Sequence, residues 1–186
     1  MVSLIKRVVR SDLWVDAVFE ERLSSEPDIA VQRFYVKGEA QLAREALSKA
    51  HVYHISAAKD ELPREWFASA ELLSMCPKLP CVSAGGAGYD TVDVAACTAA
   101  GIAVVNQAGG NADSVAEHTM ALMLSVSRRM VESDRRLRRE QGFSREDVMG
   151  HEIRGKTMGL VGMGHIGTRV ARLAHVFGMQ VIAVDP

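Results

Sequence analysis

The stretch that most constrains this chain is its last, residues 159–186, GLVGMGHIGTRVARLAHVFGMQVIAVDP. TMGLV (157–161) reads as a strand running into a glycine-rich turn. HIGTRVARLAHVFG (165–178) reads as a helix, with Ile166, Val170, Leu173, Ala174 and Phe177 on one apolar face. Gly178 closes that helix, and MQVIAV follows as a second strand that ends at Asp185. A strand, a helix and a strand joined by so tight a turn imply a parallel βαβ unit.

The turn matches G-x-G-x-x-G at Gly162, Met163, Gly164, His165, Ile166 and Gly167. Seventeen residues separate Gly167 from Asp185, close to the spacing of a dinucleotide-binding fingerprint. Each glycine has a physical task. Gly162 permits the turn off the strand, Gly164 lets the backbone approach a pyrophosphate, and Gly167 lets the helix lie close to the strand. The N–H groups around His165 and Ile166 face the phosphates at the positive end of the helix dipole. Asp185 can accept from both ribose hydroxyls, and its charge repels a 2′-phosphate, which favours NAD over NADP. The motif alone leaves FAD open.

Upstream, short β-branched runs alternate with helical patterns. Strands are expected at 5–10, 28–36, 51–56, 80–84 and 102–106. Helices are expected at 12–23, at 39–50, from Pro63 through Met75, and over 91–100, the last closed by Gly101. Such alternation implies a parallel sheet covered by helices. A longer helix should start near Ser114, where SVAE (114–117) reads as a capping box, and run to about residue 140. Its first half is almost wholly apolar and is expected to be buried, with a second copy of the chain as one candidate cover. Its Arg-rich second half offers Glu132–Arg136 and Asp134–Arg138 as i,i+4 pairs, which favours a solvated face or a subunit contact over nucleic-acid binding. Two units follow: 1–107, and 108–186, whose single βαβ is too little to cover both faces of a sheet.

The 186 residues carry a net charge of −1, which gives no global attraction to nucleic acid or acidic membranes. The three cysteines, Cys76, Cys81 and Cys97, fit no zinc spacing and imply reduced thiols. Lys6, Arg7 and Arg10 break the N-terminal apolar run, and no stretch is long enough to span a membrane, so a cytoplasmic protein is expected. No metal site is expected: His51, His54, His151 and His175 show no supporting constellation, and His118 reads as structural.

Three motifs in register, VSAGGAGYDTVDVAACTAAGIAVVN, GGNADSVAEHTMALMLSVSRR and GLVGMGHIG with Asp185, resemble NAD-dependent D-2-hydroxyacid dehydrogenases, a family with lactate, glycerate and phosphoglycerate members and formate dehydrogenase as a relative. The resemblance covers about residues 50–186. It implies an α/β fold, a flavodoxin-like substrate domain followed by the start of a Rossmann NAD-binding domain, and NAD as cofactor. It implies that Ala87 and Gly88 in GGAGYD hold the substrate carboxylate through their backbone, and a Gly-rich loop after a strand is a plausible anion nest. It places Asn111 at the position of a substrate-binding asparagine and Thr119 beside the nicotinamide. SAAKD (56–60) offers small Ala57 and Ala58, with Lys59 nearby, where phosphoglycerate-type members have an arginine, and this departure disfavours a phosphorylated substrate.

The resemblance further implies hydride transfer between a 2-keto acid and a D-2-hydroxy acid, while the apolar helix starting near Ser114 is the expected homodimer contact. The family's catalytic arginine, glutamate and histidine lie well downstream of the ribose-binding aspartate. They are therefore expected beyond Pro186, and the chain is expected to be an N-terminal fragment, inactive alone. A non-catalytic NAD sensor or a corepressor-like interaction protein of the same fold is the alternative.

Overall fold

Strands of three to six residues cannot bury themselves alone, and here they pair in parallel under helices. The computed structural model describes residues 5–185 and divides into two compact units, Met1–Ala108 and Gly109–Pro186. Met1–Leu4, the front of the stretch read against a leader, and Pro186 lie outside the described residues.

The first unit holds β1 (Lys6–Ser11), β2 (Ile29–Phe34), β3 (Val52–Ile55), β4 (Cys81–Ala84) and β5 (Ala103–Val105). All pairings are parallel, in the order β2-β1-β3-β4-β5, the flavodoxin-like order. Its helices are α1 (Ala17–Ser24), α2 (Ala40–Ser48), α3 (Ala70–Ser74) and α4 (Val94–Ala99). Val9, Tyr53, Ile55 and Val82 on the central strands are fully buried and pack with Leu47 and Trp66. The Tyr53 hydroxyl donates to the Trp66 carbonyl at 2.7 Å, so the buried phenol is satisfied. Gly101 ends α4 at φ 70°, as its position predicts.

Three helices start later than expected, α4 at Val94 after an Asp93 cap and two others by more. Asp16 caps α1 by accepting from the Val18 N–H, so residues 12–16 form a loop after β1. The helix expected from Pro63 is broken. A 3₁₀ turn (Arg64–Trp66) is followed by extended Ala68, whose N–H donates to Thr91 and whose carbonyl accepts from Asp93. Only then does Ser69 cap α3. A backbone pairing from a distant segment overrides local helix propensity there.

The second unit contains α5 (Ala112–Ser127), α6 (Met130–Arg139), β6 (Thr157–Val161), α7 (His165–Val176) and β7 (Gln180–Val184). β6 and β7 pair in parallel, and α7 packs on α5 through Ala116, Met120 and Val170. Several expectations are corrected. The long helix starts at Ala112, after the N-cap Asn111, not at a Ser114 capping box, because Gly109 turns at φ 84° and the Ala112 N–H already bonds its carbonyl. It does not run unbroken to 140. Arg129 adopts a left-handed conformation (φ 51°) between α5 and α6. The His151 N–H donates to Ser127 at 2.7 Å, and a Cβ on Gly150 would meet that same carbonyl oxygen at 2.4 Å. Close approach by the 149–151 segment thus accompanies the end of α5. Glu132 pairs with Arg129 and Arg136 with Glu140, in place of Glu132–Arg136, while Asp134–Arg138 forms as expected. The apolar first half of α5 is buried only at Ala112, Ala116 and Met120; Leu122 and Val126 are exposed. On α7, Ala171 replaces Ile166 and Phe177 on the buried face.

Candidate functional site

The turn between β6 and α7 is built from its glycines. Gly162 takes φ 96°, a conformation that favours glycine. A Cβ on Gly167 would sit 2.1 Å from the Gly162 carbonyl oxygen, so α7 can lie against the turn only because that residue has no side chain. Gly164 differs: a Cβ there would meet no protein atom within 4 Å. It caps α7, and among the described residues no acceptor meets the N–H groups of Gly164, His165 or Ile166. The positive end of a twelve-residue helix therefore opens onto a glycine face that a side chain would block. This arrangement fits a pyrophosphate.

Asp185 follows β7 directly. One carboxylate oxygen accepts from the Met163 N–H at 3.0 Å, which ties the end of β7 to the turn after β6. The side chain is exposed, so its remaining acceptor capacity is open to a ribose. Beside the turn lies a depression of about 400 Å³ lined by Asp113, Gly164, His165, Thr168, Arg169 and Arg172. Arg169 bridges to Asp113 on α5 and donates to the His165 carbonyl, bracing the first turn of α7. The His165 ring lies beside Gly109. Thr119, on α5, donates its hydroxyl to the Val115 carbonyl at 2.7 Å, so that proton is already used. Asn111 caps α5 only through its backbone; its exposed side chain makes no cap hydrogen bond.

In the first unit, Ala87 and Gly88 follow β4 on an exposed loop. No acceptor among the described residues meets either N–H, while the Ala87 carbonyl accepts from Asn106 at 2.8 Å and fixes the loop. Ala57 packs over this loop: a Cβ on Gly86 would lie 3.2 Å from the Ala57 methyl. Gly85 and Ala57 also line a pocket of about 450 Å³ at the C-terminal ends of β1 and β3, where open α/β sheets place ligands.

Arg10, Phe19 and His54, to which the sequence assigned no part in a site, line that pocket. Arg10 is 4% exposed, bridges to Glu20, and donates to the carbonyls of Ser11 and Leu13. That hydrogen bond, and then the guanidinium charge, holds the Glu20 carboxyl below the usual range. His54, which looked isolated in sequence, stacks on Phe19 at 4.3 Å and contacts the Ser83 hydroxyl at 3.2 Å. Burial, and secondarily Arg10, lowers its pKa, so the ring is neutral near pH 7. An arginine at the C-terminal end of β1, directly after Val8 and Val9, was the sequence signal available. Among the described residues no cluster could hold a metal ion, the three cysteines are free thiols, and no helix is long and apolar enough to cross a membrane.

Comparison with known proteins adds an independent line. Residues 120–186 match the family model described as D-isomer specific 2-hydroxyacid dehydrogenase, NAD binding domain. Over 117 residues the chain is 48% identical to D-3-phosphoglycerate dehydrogenase of Mycobacterium leprae, covering 63% of this chain and 22% of that one. A protein of Thermus thermophilus superimposes with a TM-score of 0.79 at 27% identity, over 96% of this chain and 56% of that one. D-Lactate dehydrogenase from Aquifex aeolicus, complexed with NAD and lactic acid, superimposes with a TM-score of 0.76 at 25% identity, over 95% and 50%. The chain thus spans less than two thirds of each of these relatives.

Proposed function

We propose that the chain belongs to the D-isomer specific 2-hydroxyacid dehydrogenase family, which has NAD as cofactor, and that it contributes to an NAD-dependent interconversion of a 2-keto acid and a D-2-hydroxy acid. In this reading residues 108–186 are the first part of the NAD domain. Gly162–Gly167 take the pyrophosphate, Asp185 takes the adenosine ribose, and Thr119 borders the nicotinamide. Residues 1–107 are the substrate domain, where the N–H groups of Ala87 and Gly88 hold the substrate carboxylate; in the second unit, the Asn111 amide is also assigned to substrate binding. When bound, NADH supplies the hydride that adds to C2; the carbonyl oxygen takes a proton, giving the 2-hydroxy acid and NAD⁺. In this reading the arginine that polarises the carbonyl and the glutamate-held histidine that supplies the proton are assigned to no residue of the two units. Ala57 and Ala58 give no cation for a phosphate, so the substrate is read as unphosphorylated. α5, with Leu122 and Val126 exposed, is the proposed homodimer contact.

The observation that carries this reading is the hydrogen bond from Met163 to Asp185 beside the open N–H groups of Gly164, His165 and Ile166. Titration of the 186-residue chain with NADH and NADPH tests it, with NADH expected to bind more tightly. The same chain should reduce no 2-keto acid alone. Turnover by these residues would overturn the assignment of the catalytic groups, and failure to bind NADH would overturn the cofactor reading.

A further inference from the structure

We infer that the pocket at the C-terminal ends of β1 and β3 receives an uncharged aromatic side chain, making the substrate an arylmethyl 2-keto acid or its D-2-hydroxy acid. This rests on the dehydrogenase reading above and specifies its substrate class.

The pocket adjoins the carboxylate loop. Gly85 lines the pocket and begins that loop, and the Ala57 methyl lies 3.2 Å and 3.9 Å from the positions a Cβ would take on Gly86 and Gly88. A molecule whose carboxylate rests on Ala87 and Gly88 therefore has its side chain next to Ala57. The lining is mixed, and its apolar part, Leu13, Trp14, Val15, Phe19, Ala57 and Ala58, includes two aromatic rings. Trp14 is 85% exposed on the loop after β1, an unusual place for a large ring with no partner of its own. Size points the same way. A dry cavity of about 150 Å³ accepts benzene, and this pocket measures about 450 Å³. A methyl group such as that of pyruvate would leave most of it wet.

Charge excludes the main competitors. Arg10 and His54 are the basic groups among the described lining residues. The Arg10 donors are taken by Glu20, Ser11 and Leu13, and burial keeps His54 neutral. Asp16 and Glu61 face the same pocket, so a phosphate or second carboxylate would meet net negative charge. Those two carboxylates are also engaged, Asp16 by the Val18 N–H at 2.9 Å and Glu61 by the Ser56 hydroxyl at 2.8 Å, which weakens the case for a cationic side chain.

The test measures kcat/KM of the complete enzyme with NADH for phenylpyruvate, pyruvate, 3-phosphohydroxypyruvate and 2-keto-5-guanidinovalerate. Phenylpyruvate is expected to lead pyruvate by about tenfold or more, the scale of apolar pocket discrimination, with the phosphorylated acid lowest. Ala58→Trp, which fills the pocket, should lower the phenylpyruvate-to-pyruvate ratio, and so should Trp14→Ala at its exposed rim. A lead for pyruvate, the phosphorylated acid or the guanidino acid would overturn the inference and leave the dehydrogenase reading standing. Reduction of no 2-keto acid at all would overturn both.

Discussion

A Cβ placed on Gly167 would lie 2.1 Å from the carbonyl oxygen of Gly162, whereas one placed on Gly164, three residues earlier, would meet no protein atom within 4 Å. Two glycines of one motif are thus glycine for different reasons. Gly167→Ala must push α7 away from the turn and should destabilise the second unit by about 1–3 kcal/mol, the usual cost of overpacking. Gly164→Ala should melt like the parent yet bind NADH poorly. Thermal melts beside NADH titrations check both, and equal behaviour of the two variants would sink the distinction.

Asp185 is expected to set nucleotide preference. Asp185→Ser removes the ribose acceptor, the negative charge and the partner of the Met163 N–H. Hydrogen bonds to a charged group contribute roughly 1.5–3 kcal/mol, so NADH should bind roughly 10- to 100-fold more weakly. NADPH should lose far less, or gain. Unchanged discrimination between the two nucleotides would remove Asp185 from the ribose site.

His54 predicts a pH dependence of stability. Burial first, and Arg10 second, hold its folded pKa below the usual histidine value of about 6.5. Below that value the unfolded chain takes up a proton that the folded chain resists, so stability declines as pH falls through the window beneath it. His51, shifted down chiefly by burial, acts in the same direction. Glu20 and Glu132 are lowered by their arginine partners, so their contribution is present above about 4.5 and is lost only at lower pH. The melting temperature should therefore drop between pH 7 and 5, and less steeply in His54→Asn. Parallel pH profiles for the two proteins would refute the assignment.

Arg10 and Glu20 should couple strongly. Glu20→Ala leaves a guanidinium that is 4% exposed without its counter-charge. It should lower the melting temperature more than the double variant Arg10→Met/Glu20→Ala, because an unmatched buried charge is worse than an apolar replacement. A double-mutant cycle measures this, and simple additivity would contradict it.

The parts of the molecule legible in sequence are those fixed by local rules. Alternating strands and helices give a parallel sheet, and the spacing of Gly162, Gly164, Gly167 and Asp185 gives the βαβ turn. The misread parts depend on distant backbone. Ala68 pairs with the 91–93 segment and breaks an expected helix, and His151 bonds Ser127 at the end of α5. Neither partner lies within the window of a helical pattern. The pocket of the first unit was hidden for the same reason. Arg10, Phe19 and His54 lie far apart in the chain, and parallel β1–β3 pairing, which sets Arg10 opposite His54, brings them together.

The Met163–Asp185 hydrogen bond has a consequence for how this unit measures a ligand. Because one jaw is the turn after β6 and the other the end of β7, the bond sets the gap between them before any nucleotide arrives. The pair works as a caliper adjusted during folding. A molecule with the right chemistry but a different span between phosphate and sugar hydroxyls would engage one jaw and miss the other.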